Sequence, residues 1–173
     1  MKKIISIAAS ALCILSASAQ IRIATPDTEL ILKADVGGEP QIQYFGERLS
    51  DTDVANLQAA GVPNHNAYPA YGLWCASEAC LGVTHSDGNM STVLRIECVI
   101  QTDEPTAKVT RIKMKDTVYP FYVTLCYRAY QDVDMIETWT EIENQEKKPV
   151  VLTRFDSGYL PVRAGDVWIN HLH

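Results

Sequence analysis

The sequence predicts an all-β fold, a large twisted antiparallel β-sandwich (a supersandwich) with one short helix. Three observations carry this expectation. Apolar and polar residues alternate with period two in several separate runs, turn dipeptides stand between those runs, and only one stretch carries helix caps.

Residues 21–45 read as short strands, with Gly37-Gly38 turning between 31–36 and 41–45. The helical stretch follows. Ser50 or Asp51 can cap it, Val54 and Leu57 share a face, and Gly61 can close it within about three turns. Residues 62–78 form a loop containing Pro, Asn and Tyr. Asp87-Gly88 favours a tight hairpin turn, which predicts a pairing of strands 79–84 and 92–100. In the second of these, Leu94, Ile96, Cys98 and Ile100 face one way, while Arg95 and Glu97 face the other. Asp103-Glu104-Pro105 makes the next turn. Tyr119, Phe121, Val123, Leu125 and Tyr127 line one face of a long strand, with Arg128 and Tyr130 opposite. Ile136, Thr138, Thr140 and Ile142 alternate with Glu137, Trp139, Glu141 and Glu143 in another. Residues 144–148 make a polar hairpin loop ending at Pro149, and 150–155 begin a further strand.

The N-terminus reads as a signal for export. Lys2 and Lys3 precede a short apolar run, and Ala17-Ser18-Ala19 supplies the small residues of a cleavage site. The run is too short to span a bilayer, and Leu12 before Cys13 does not suit lipid attachment. Residues 1–19 are therefore expected to be removed after Ala19, leaving a domain over 20–173 in a bacterial periplasm. That domain is large enough to bury about 70% of its unfolded surface. The net charge is −6 for the whole chain, and losing Lys2 and Lys3 takes it to −8. An acidic chain with no basic stripe is a poor partner for nucleic acid or an anionic membrane.

Cys75, Cys80, Cys98 and Cys126 would remain, and in an oxidising compartment they allow two disulfides in three connectivities. Because Cys98 falls in line with core positions, buried thiols are the favoured reading, and the pairing stays open. Cys75 and Cys80 lack the further ligands that a zinc site needs, so neither metal nor cofactor is expected.

Particular segments go further than composition. Tyr68-Pro69-Ala70-Tyr71-Gly72, Ala79-Cys80-Leu81-Gly82-Val83 and His85-Ser86-Asp87-Gly88 resemble, in order and spacing, the N-terminal domain of family 36 α-galactosidases. Lys115-Asp116-Thr117-Val118-Tyr119-Pro120-Phe121 with Tyr127-Arg128-Ala129-Tyr130 is similar to a strand pair of that domain. Trp168-Ile169-Asn170-His171-Leu172-His173 resembles the point where the family approaches its catalytic barrel. The resemblance covers roughly residues 25–173.

It implies a β-sandwich that precedes a (β/α)8 barrel in an enzyme removing terminal α-linked galactose from oligosaccharides with retention. Retention calls for two carboxylates about 5–5.5 Å apart. Both belong to the barrel in this family, so no catalytic residue is assigned to this chain. The resemblance implies a scaffold role, with a homo-oligomer contact as a further partner. In some members an aspartate and an arginine just after the tyrosine-proline motif reach a neighbouring subunit's active site. Cys75 and Ser77 stand at those positions here, which leaves Trp74 as the candidate sugar platform. A free-standing lectin-like sandwich is the alternative reading.

Each remaining candidate has a simpler explanation. Trp74 can serve as a packing anchor, since a buried indole brings large apolar area. Trp139 reads as a covered surface aromatic, and Glu137, Glu141 and Glu143 as a solvated strand face. The Asp-Gly turn accounts for Asp87, and His85 has no evident partner along the sequence. His171 and His173 supply too few ligands for a metal.

Overall fold

The computed structural model describes residues 12–14, 20–59, 65–72 and 78–161. It contains eleven named strands and one helix among these residues. The strands are β1 (Leu12–Ile14), β2 (Gln20–Ala24), β3 (Thr28–Lys33), β4 (Gln41–Glu47), β5 (His65–Asn66), β6 (Leu81–Thr84), β7 (Leu94–Asp103), β8 (Ala107–Asp116), β9 (Phe121–Tyr130), β10 (Ile136–Asn144) and β11 (Val151–Phe155). The helix is α1 (Asp51–Ala59).

The strands form three antiparallel sheets, ordered β1-β7-β8-β9-β10, β2-β3-β4-β5 and β11-β6. All three contribute to one apolar cluster. Ile112, Met114, Phe121, Val123 and Leu125 of the large sheet meet Ile21, Ile23, Leu30, Leu32 and Ile42 of the second, and Leu81 and Val83 of the third. The expected all-β sandwich is therefore the fold.

The strand expected over 31–36 starts earlier, at Thr28, and stops at Lys33, ahead of the turn in which Gly37 takes φ +80°. Two carboxylates, Glu29 and Asp134, tie the second sheet to its surroundings. Glu29 is fully buried; it receives the Arg22 guanidinium and, at 3.1 Å, the N–H of Leu49. The same guanidinium reaches Asp51, the first residue of α1, at 2.6 Å. On the opposite side, Asp134 accepts the Thr28 N–H at 2.9 Å and its hydroxyl at 2.8 Å, joining the turn after β9 to the β2–β3 turn.

The helix begins as expected. Ser50 Oγ accepts the Asp53 N–H at 3.2 Å, the Ser50 carbonyl accepts from Val54 N at 3.0 Å, and Val54 is buried. Ser50→Ala is expected to cost about 1 kcal/mol, the usual worth of an N-cap, read from denaturant midpoints. An unchanged midpoint would contradict this role for the cap.

Three sequence expectations need correction. First, Asp87-Gly88 does not close a hairpin. Gly88 alone has positive φ there, at +90°, and β6 pairs with β11 while β7 pairs with β8 and β1. The residues between β6 and β7 form a longer loop held by its own bonds, Gly88 N to His85 O and Asn89 N to Asp87 Oδ1, both at 2.9 Å.

Second, the loop over 144–148 does not join hairpin partners either, since β10 pairs with β9 and β11 crosses to β6. Third, β7 does not alternate evenly. A bulge between Ile96 and Cys98 shifts the phase, so Leu94, Ile96 and Val99 are buried while Cys98 and Ile100 are not.

β9 and β10 follow the sequence closely. Phe121, Val123, Leu125 and Tyr127 are buried, and β10 pairs with β9 from Ile136↔Ala129 to Asn144↔Phe121. Asp116 explains the Lys-Asp to Tyr-Pro spacing. Its buried carboxylate accepts N–H groups from Val93 at 2.6 Å and from Val118 and Tyr119 at 2.8 Å, fixing the β8–β9 turn. Cys126 is a buried free thiol pushed up to about 12 by burial and then by Glu141, so it behaves as an apolar side chain.

Candidate functional site

The loop bearing Trp74 is rooted on a well-held corner. Tyr68 is buried, its hydroxyl donates to the Asp156 carbonyl at 3.0 Å, and its N–H donates to Asn66 Oδ1 at 2.8 Å. Cys80 N donates to Pro69 O at 2.7 Å, and Tyr71 N to Leu81 O at 2.9 Å. Thr92 N closes the corner by donating to Tyr71 O at 2.9 Å.

Gly72 follows with φ +138°, and a Cβ there would lie 2.4 Å from the Thr92 nitrogen. Only glycine fits this conformation and this approach. Trp74, Cys75 and Ser77 themselves lie outside the described residues, as do His171 and His173.

Behind this corner stands a buried polar cluster that the sequence did not disclose. The His85 side chain is wholly buried and lies between Glu146, with Nδ1 2.8 Å from Oε1, and Thr92, with Nε2 3.0 Å from Oγ1. Its ring stacks on Tyr119 with centroids 3.7 Å apart and meets the edge of Phe121. The second Glu146 oxygen accepts the Ser86 N–H at 3.0 Å. Burial by itself would push the Glu146 carboxyl up. The bonds from His85 and Ser86 outweigh it and hold the group below its usual range.

The partner of His85 thus comes from the loop after β10, sixty-one residues away. No local spacing could have revealed it. Asp87 is held low by the Asn89 N–H and then by the Tyr119 hydroxyl, 2.8 Å from its Oδ2. Its turn role stands, with a tyrosine added.

In order, Thr92, His85 and Glu146 copy a hydroxyl, base and carboxylate relay. Thr92 and the His85 side chain are fully buried, however, so no substrate reaches the hydroxyl. The cluster acts as a clamp. It joins the β6–β7 loop to the β10–β11 loop and, through Thr92, to the root of the Trp74 loop.

Trp139 resolves as a covered aromatic. It is half-buried, its Nε1 donates to Glu141 at 3.0 Å, and the Arg128 and Arg111 guanidinium carbons lie 5.2 and 5.9 Å from its ring centre. Glu137, Glu141 and Glu143 stay exposed, as a solvated strand face requires. Among the described residues no three metal-ligating side chains converge.

Fold and corner together define a β-sandwich module with a hydrogen-bonded corner at Tyr68–Gly72. The family model of the glycosyl hydrolase family 36 N-terminal domain matches residues 38–173. The chain belongs to that family.

Solved structures agree on the fold. The family 36 α-galactosidase AgaA of Geobacillus stearothermophilus matches with a TM-score of 0.69 at 20% identity, over 81% of this chain and 24% of its own. The α-galactosidase of Lactobacillus brevis matches with 0.69 at 17%, over 84% of this chain and 24% of its own. The galactosidase domain of the α-galactosidase–sucrose kinase AgaSK gives 0.68 at 19%, over 81% and 25%. This chain spans about a quarter of the length of these structures. No curated protein matches it.

Proposed function

We propose that this chain is the non-catalytic N-terminal sandwich of an exported α-galactosidase, acting on terminal α-linked galactose of oligosaccharides through a barrel outside the 173 residues. The match of the family model over residues 38–173 carries this reading. The clamped corner supports a scaffold role, because it fixes where the Trp74 loop leaves the sandwich and so which neighbour that loop can touch. Contact with a second subunit through that loop belongs to the same proposal.

Export rests on the leader pattern in residues 1–19. Leu12–Ile14 lies along β7 in the register Leu12↔Gln101 to Ile14↔Val99, so cleavage after Ala19 would bare that sheet edge.

The reading is tested by assaying the purified chain on an α-galactoside chromogen and on raffinose. No turnover above buffer is expected from a folded sample. Turnover that tracks the purified chain and survives a second, orthogonal purification would sink the non-catalytic assignment.

A further inference from the structure

We propose that a cleft between the second sheet and the edge at β10 is a binding site for a neutral pyranose, separate from the Trp74 loop. The cleft holds about 460 Å³, within the usual range for small-molecule sites. Its floor is apolar, with Leu30 and Ile42 almost fully buried. Phe45, half exposed at one lip, and Tyr159 at the other present aromatic carbon to whatever enters.

Tyr127 points to a ligand. It lines the cleft at 7% exposure, and its hydroxyl has no hydrogen-bond partner among the described residues. Tyr68, also buried, donates to a carbonyl. A sealed hydroxyl without a partner is costly and rare in folded proteins. The Tyr127 oxygen is not sealed, since the one sealed, partnerless side-chain atom among the described residues is Asp35 Oδ1. It therefore keeps access to the cleft.

Two further groups on the rim can bond a hydroxyl. Thr138 is exposed and faces Gly158, where a Cβ would stand 3.0 Å from its Oγ1, so only a glycine there leaves the hydroxyl room to bond a ligand. Asp134 directs its carboxylate to Thr28 and retains acceptor capacity on Oδ2.

The lining carries this one carboxylate and neither lysine nor arginine, which disfavours anionic ligands such as sugar phosphates. An apolar floor, aromatic lips and a few hydroxyl-bonding groups suit a pyranose, which has a C–H face and a hydroxyl edge. Burial keeps the Tyr127 phenol protonated as a donor. None of the residues rooting the Trp74 loop lines the cleft.

The test is a proton–nitrogen NMR titration of the full chain with the methyl α-glycosides of galactose, glucose and mannose. Saturable shifts centred on residues 42–45, 136–138 and 158–160 are expected for at least one sugar, with Kd on the order of 1 mM. Tyr127→Phe, which removes only the hydroxyl, is expected to weaken binding about tenfold without lowering the melting temperature. Thr138→Val provides the same test from an exposed position, and Trp74→Ala should leave the affinity unchanged.

Absence of saturation by all three sugars, shifts that map elsewhere, or wild-type affinity in both Tyr127→Phe and Thr138→Val would overturn the proposal. So would a dimer in solution that closes the cleft and is split by Phe45→Asp. Each of these failures leaves the scaffold reading standing, because that reading is tested by hydrolysis and not by sugar affinity.

Discussion

Glu146→Ala is expected to destabilise the chain by about 3 kcal/mol, because it strips a buried donor and a part-buried one of their acceptor at once. His85 loses its Nδ1 partner and Ser86 N–H loses the second carboxylate oxygen. The effect should reach beyond the loop that carries Glu146, because His85 also holds Thr92, and Thr92 holds Tyr71. Denaturant unfolding measures the cost, and amide exchange at Tyr71 and Thr92 reads its spread. A loss below about 1 kcal/mol would mean that water replaces the carboxylate without penalty, and the clamp would be a minor feature.

The same residue sets an expected pH dependence. Its carboxyl is held below the ordinary value of 4.5, so its contribution is fully present above that value. As the pH falls through the lower folded value, the unfolded chain is already protonated and the contribution is lost. Glu146→Gln does not titrate. Its stability deficit against the wild type should therefore shrink as the pH drops from about 6 to about 3. A deficit constant over that range would contradict the assignment.

Gly72→Ala is the second large effect, again about 3 kcal/mol. The new Cβ would sit 2.4 Å from Thr92 N and 2.9 Å from Ser91 Cα, with φ at +138°. Both obstacles are backbone, so no side chain can swing away to make room. Relief has to come from breaking the Tyr71–Thr92 bond, which releases the root of the Trp74 loop. Indole emission from a variant keeping Trp74 as its sole tryptophan should change together with the loss of stability. A stable Gly72→Ala protein with unaltered emission would show that the loop is not anchored at this corner.

The legible part of the fold was the part that local alternation controls. In β9 the buried set Phe121, Val123, Leu125 and Tyr127 falls on every second residue, and in β10 the half-buried Ile136, Thr140 and Ile142 lie between the exposed Glu137, Glu141 and Glu143. Long-range pairing was not legible. Asp87-Gly88 looks like a hairpin turn, but β6 is claimed by β11, whose position depends on the whole sandwich. The bulge in β7 left no mark because Leu94, Ile96, Cys98 and Ile100 are all apolar and conceal the change of phase. β8 went unread for another reason. Its inward residues Thr110, Ile112 and Met114 are set among Lys108, Arg111, Lys113 and Lys115, and Thr110 weakens the apolar signal.

The candidate site was less legible still. Tyr68 to Gly72 was singled out, and the structure gives it a physical basis in the buried Tyr68 and the tight Gly72. Both His85 and Glu146 look like ordinary surface residues in sequence. Only folding brings them to 2.8 Å and removes them from water.

The most direct test of the scaffold assignment is to read the coding DNA beyond His173, express the extended product, and assay it on raffinose beside the 173-residue chain. The assignment predicts an open reading frame that continues into a barrel domain, with hydrolysis confined to the extended product. An immediate natural stop codon, or an extended product that is folded and inactive on α-galactosides, would contradict it. With an immediate stop codon, sugar binding by the chain alone would favour a free-standing lectin-like sandwich.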